Sequence, residues 1–143
     1  MSDLDWRSER VKLPLAASLN RETLEKTLAD DKADARDRLN ASTKLALLYR
    51  TDAGHQFELT RLRLGSVNVL HMPGELFVEY QLAAQQMKPG ATVCMAAYGD
   101  YALGYIGTEI AYTQGGYEVQ ASSSNTAPQV EKVLMDAIRR LLE

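Results

Sequence analysis

Two short apolar runs bracket an amphipathic segment in the middle of the chain. Residues 67–72 read Val-Asn-Val-Leu-His-Met and residues 91–97 read Ala-Thr-Val-Cys-Met-Ala-Ala. Pro73-Gly74 follows the first run and Pro89-Gly90 precedes the second, with an amphipathic stretch over 75–88 between them. Runs of this length and spacing predict a strand, a crossover helix and a second, parallel strand, which together form a βαβ unit. Within the helical stretch Leu76, Phe77, Tyr80, Ala83, Ala84 and Met87 recur at spacings of three and four, so that face is expected to lie on the sheet. Glu75 then falls in the first turn of the helix, just past the carboxyl end of a strand, where open α/β sheets hold their ligands.

The flanking segments extend the pattern. Residues 10–15, Arg-Val-Lys-Leu-Pro-Leu, alternate polar and apolar side chains and contain Pro14, as a short edge strand or extended arm does. Asn20 opens a capped helix with a narrow stripe of Leu24 and Leu28. A second helix over about 33–50 becomes apolar towards its end, through Ala35, Leu39, Leu45 and Leu48. Phe57 to Leu64 reads as a strand whose alternation slips at Thr60 and Arg61, as at a bulge, and Gly65-Ser66 as a two-residue hairpin turn. At the end of the chain, Ala127-Pro128 opens a helix in which Val130, Val133, Leu134, Ala137, Ile138 and Leu141 form a broad apolar face. The fold expected is α/β: a small mixed sheet containing the βαβ unit, with N-terminal helices and a C-terminal helix packing on the sheet. One domain is expected over residues 1–143, with an N-terminal helical arm over 1–50 and a core over 55–143.

Composition narrows the partners. The formal charge is -3 and basic residues are dispersed among acids, so no nucleic-acid footprint is present. The alternating charges around Asp30 to Arg38 read as a solvated helix surface. Cys94, the only cysteine, sits in an apolar run and is expected to be a small buried hydrophobe. The first residues lack a signal-peptide pattern and no window is apolar enough for a transmembrane segment, so a soluble chain is expected.

Standard catalytic constellations are missing: there is no GxGxxG, P-loop, CxxC, HExxH or GxSxG. Of the two histidines, His71 lies near a strand end and reads as structural. Glu75 alone is accounted for by the favourable field at a helix start. The stretch from Gly99 to Glu118 is unlike the rest, with Tyr101, Tyr105, Tyr112 and Tyr117 among glycines. It is too rich in glycine for a helix and reads as a loop, either functional or packed through its hydroxyls, each of which needs a partner if buried. Ser122 to Thr126 is a second polar loop.

Met72-Pro-Gly-Glu75-Leu-Phe-Val-Glu-Tyr80 resembles the Pro-Gly-Glu helix start of the neutral (non-lysosomal) ceramidases, zinc amidohydrolases that cleave the amide of N-acyl-sphingosine. The later Gly104-Tyr105-Ile-Gly-Thr108, Tyr112 and Tyr117-Glu118 resemble that family's second block, in the same order. The likeness spans roughly 67–123. It implies Glu75 and Tyr105 as zinc ligands and Tyr117 as a catalytic residue that helps hold the reacting carbonyl. It also implies an N-acyl amide substrate of the ceramide type, and so a place in sphingolipid metabolism.

The family's metal-binding histidines and catalytic serine lie in a large N-terminal portion that has no counterpart here, and Ile110-Ala111 replaces an acidic residue expected before Tyr112. The resemblance therefore implies the carboxyl-terminal part of a ceramidase-like catalytic domain, inactive alone, with zinc belonging to the longer enzyme and little or none held by this chain. Self-association is expected through surface that the missing portion leaves bare. The alternative is a stand-alone α/β binding or interaction domain without metal.

Overall fold

The computed structural model describes residues 3–99 and 103–143. Its central layer is a four-stranded sheet in the order β1-β2-β3-β5. Strands β1 (Leu4–Val11), β2 (Phe57–Leu64) and β3 (Val67–Pro73) are antiparallel neighbours, and β5 (Thr92–Gly99) runs parallel to β3. Helix α3 (Val78–Met87) is the crossover of the expected βαβ unit. Helices α1 (Arg21–Ala29) and α2 (Ala35–Asp52) form a hairpin between β1 and β2, and α5 (Val130–Leu142) closes the chain. Two-residue strands β4 (Glu75–Leu76) and β6 (Tyr105–Ile106) pair in parallel as a separate ladder, and α4 (Glu109–Gln114) follows β6.

One face of the sheet is packed. Phe57, Leu59, Leu70, Met72 and Val93 point into a core completed by Tyr80 and Ala84 of α3 and by Val130, Leu134, Ala137, Ile138 and Leu141 of α5. The helical periodicity of α5 is thus fully used. Asn20 caps α1 as expected, its side chain accepting from Thr23 N at 2.9 Å. That helix buries no residue. Gly65 turns the β2–β3 hairpin with φ +58°, a backbone conformation favourable only to glycine and a few polar residues.

Tyr80 fills the middle of the core. It is fully buried, and its hydroxyl donates to the Gly107 carbonyl at 2.9 Å. Burial pushes its phenol far above the ordinary value, and Glu131, Tyr112 and Glu79 add to the shift. In the unfolded chain the same group ionises near pH ~10. Because the folded-state value is raised, stability is intact below that pH and is expected to fall as pH rises beyond it, where only the unfolded chain sheds the proton. Denaturant melts in alkaline buffers should show this loss, and Tyr80→Phe should flatten the alkaline slope.

Several expectations change. Glu75 is not in a helix: α3 starts at Val78, because Glu75 N donates to Gly104 O at 2.9 Å and Phe77 N to Ile106 O at 3.1 Å. These amides are committed to a sheet partner, which holds the backbone extended through Phe77. The edge strand lies at Leu4–Val11, ahead of the residues expected to form it, and the helical arm begins only at Arg21. No bulge interrupts β2 at Thr60 and Arg61. The register is continuous there, and the irregularity falls in β3 between His71 and Pro73. The slip in pattern arises because Arg61 is buried beside Asp5 in regular strand geometry. Leu39 is exposed, and α2 buries Ala41, Leu45 and Leu47. Cys94 is exposed too, since Val93 takes the core-facing position and the next residue along a strand points the other way. A helix, α4, forms inside the glycine-rich stretch, in a glycine-free window closed by Gly115 at φ +78°. Among the described residues no helix is long and apolar enough to cross a membrane.

Candidate functional site

The β4–β6 ladder is the centre of the candidate site. Glu75 and Tyr105 are direct register partners in it. In-register residues of a parallel pair project from the same face, so a carboxylate and a phenol thirty positions apart stand side by side. The Tyr117 ring meets the Tyr105 ring edge-on, with centroids 6.0 Å apart and planes at 75°. The three residues singled out in the sequence are therefore contiguous. Glu75 and Tyr105 are half-buried and Tyr117 is 64% exposed.

The ladder is held by backbone geometry. Gly74, at φ +63°, turns the chain out of β3, and its amide donates to Gly99 O while its carbonyl accepts from Tyr98 N. Tyr98 has φ +70°, a strained conformation for a residue with a side chain, and it lies where β5 crosses the entry to β4. On the other side, Tyr105 N donates to Ser123 O and Asn125 N to Leu103 O, so the polar loop at 122–126 backs β6.

The tyrosines divide by role. Tyr112 is structural: its hydroxyl lies 2.8 Å from Thr126 Oγ1 and 3.2 Å from Ser124 Oγ. Tyr105 and Tyr117 instead line a groove of about 760 Å³ whose opposite wall is α2. Asp37, Asn40 and Lys44 of that helix face the groove, and Lys44 Nζ donates to Ala121 O at 2.9 Å, tying the helix to the polar loop. The sequence reading missed this wall. Its signal was the spacing of Asp37, Asn40 and Lys44 along one helix face, submerged in a tract of alternating charge. Tyr101 lies outside the described residues.

A catalytic zinc site takes three protein ligands and leaves one position open. Glu75 and Tyr105 fit as two ligands of such a site and do not close it. Among the described residues no three of His, Cys, Asp and Glu are grouped to hold a metal. His71 is exposed on the far face of the sheet, its ring lying over Gly99.

No protein-family model and no curated protein matches the chain. Among solved structures it is similar to the neutral ceramidase from Pseudomonas aeruginosa, at 14% identity and a TM-score of 0.48. The likeness covers 99% of this chain and 29% of that one, so the chain spans under a third of its neighbour's length. At that level a likeness assigns no role to any residue.

Proposed function

We propose that the chain is the carboxyl-terminal part of a ceramidase-like zinc amidohydrolase and contributes one side of its active site. The observation that carries this reading is the in-register pairing of Glu75 with Tyr105, with Tyr117 against the Tyr105 ring. Two donors of the kinds zinc accepts, and a neighbouring phenol able to hydrogen-bond, meet on one short ladder beside a groove. The other metal ligands come from a segment outside the 143 residues.

Bound zinc would polarise the carbonyl of an N-acyl amide and lower the pKa of a water. The chain's own part is positional. Glu75 presents its carboxylate from a strand whose amide is fixed to Gly104 O, so the position from which the side chain projects is set by the ladder. Tyr105 stands beside it. Tyr117, at the mouth of the groove, donates its hydroxyl hydrogen to the oxygen on which negative charge develops. The α2 wall bounds the space where the substrate lies.

Zinc titration tests the metal reading directly. The chain should bind zinc weakly, and Glu75→Ala or Tyr105→Phe should remove that binding without altering the circular dichroism. In a polypeptide that also supplies upstream histidines, hydrolysis of an N-acyl amide should be lost with Glu75→Ala. An unchanged rate would take Glu75 out of the site and leave the metal-free binding domain as the better description.

A further inference from the structure

The groove beside the β4–β6 ladder is polar along its length. Asp37, Asn40 and Lys44 stand on one stripe of α2 at spacings of three and four, and at ~1.5 Å of rise per residue the outer two are ~10 Å apart along the helix. Ser122, Ser123 and Asn125 of the polar loop also line the space. Besides the tyrosine rings, the apolar side chains lining it are Leu24 and Ala41, and Ala41 is buried. Small-molecule sites are ordinarily walled by hydrophobic side chains with a few polar groups among them. Here the proportion is reversed, in a volume of about 760 Å³ that suits a whole small molecule. A long hydrocarbon chain laid in this groove would strip water from the polar groups without replacing their hydrogen bonds.

Charge and hydrogen-bonding capacity define the ligand further. One carboxylate and one ammonium line the groove, so its formal charge is balanced and favours neither a cation nor an anion. Asp37 can only accept, Lys44 can only donate, and Asn40 can do both. Neither the Asp37 carboxylate nor the Asn40 amide has a hydrogen-bond partner among the described residues. Lys44 gives one N–H to Ala121 O at 2.9 Å and keeps its others. Hydroxyl groups, each both donor and acceptor, satisfy all three side chains, and a ligand needs several of them to meet groups spread over ~10 Å. Tyr105 and Tyr117, with ring planes at 75°, add apolar surface on which the C–H groups of a saturated ring can lie.

We propose that this groove binds a saccharide and, resting on the amidohydrolase reading, that the amide cleaved beside it is the N-acyl group of an amino sugar. The sugar hydroxyls lie along α2 and the polar loop, and the acyl nitrogen faces the ladder that carries Glu75 and Tyr105. Hydrolysis breaks the bond between the acyl carbon and that nitrogen. The oxygen of water stays on the acyl group as a carboxylate, and both of its hydrogens leave on the nitrogen as a protonated amine. A long-chain amine with hydroxyls at one end only leaves most of the polar wall unmet, whereas a sugar carries them around its whole ring.

Magnetic resonance of the isotope-labelled chain tests this with the β-linked dimer of N-acetylglucosamine as probe. Millimolar dimer should shift the backbone amides of residues 37–44 and 122–125. N-butylacetamide, which has the amide and no hydroxyls, should leave them in place. Asp37→Ala and Asn40→Ala, both at exposed positions, should each weaken the dimer about fivefold or more with an unchanged circular dichroism spectrum. A zinc titration of the same sample separates the two readings. Saccharide shifts without zinc binding support the groove assignment and overturn only the enzyme reading, while zinc binding with no saccharide shifts at tens of millimolar overturns the saccharide site alone. N-butylacetamide binding as tightly as the dimer, or an Asp37→Ala variant with wild-type affinity, overturns it as well.

Discussion

Replacing Asp5 by alanine is expected to destabilise the fold by about 2–4 kcal/mol, although Asp5 lies near the end of the chain on an edge strand. Its carboxylate bonds the guanidinium of Arg61, a residue only 2% exposed in the middle of β2. The same carboxylate lies 3.7 Å from Arg7 Nε and 4.0 Å from Arg63 Nε. Three cations therefore share one anion, and the buried one also has an Nε without a hydrogen-bond partner. Truncating Asp5 leaves Arg61 desolvated and uncompensated beside two like charges, which costs far more than an exposed ion pair contributes. The expected loss is set below that of a fully enclosed pair because the Asp5 side chain is 35% exposed. Urea unfolding measures it. Asp5→Ala combined with Arg61→Met should recover most of the loss, since the charge left unpaired is then gone. A single variant within a few tenths of a kcal/mol of wild type would show that Arg61 is neutralised elsewhere.

The same cluster explains why β1 was illegible. Sequence patterning finds strands by apolar residues on the buried face, yet in β1 Asp5 and Glu9 face inward to Arg61 and Arg140, while Leu4 and Trp6 face outward. The alternation is present with its polarity inverted, so no hydrophobic criterion detects it. Segments that obey the ordinary rule were legible: the β2–β3 hairpin around Gly65, the β3–α3–β5 crossover and the apolar face of α5. Cys94 failed for a related reason. An apolar run reads as wholly buried, whereas only one face of this sheet is covered.

The candidate site was legible in its residues and not in its geometry. Two-residue strands such as β4 and β6 have no periodicity to detect, and each exists only because the other is present. The opposite wall of the groove, supplied by Asp37, Asn40 and Lys44, depends on how the α1–α2 hairpin folds back, which no local pattern specifies.

Gly104→Ala should be the most damaging small substitution near the site, costing about 2–4 kcal/mol and loosening the β4–β6 ladder. Gly104 has φ +65°, and a Cβ there would lie 2.2 Å from the Ser123 carbonyl oxygen. That oxygen cannot retreat freely, because it accepts the hydrogen bond from Tyr105 N, while Gly104 O accepts from Glu75 N. One methyl group therefore pushes on both hydrogen bonds that position the carboxylate and the phenol. The conformational part of the cost can be isolated at Gly90, which has φ +83° and nothing within 4 Å of the added carbon. Gly90→Ala should lose only ~1 kcal/mol, the penalty for a side chain in the left-handed region. If thermal or urea unfolding gave equal losses at the two positions, the close approach at Gly104 would be no constraint. If Gly104→Ala loses markedly more and also abolishes the weak zinc binding that Gly90→Ala retains, the backbone contact between Gly104 and Ser123 is what keeps Glu75 and Tyr105 in register.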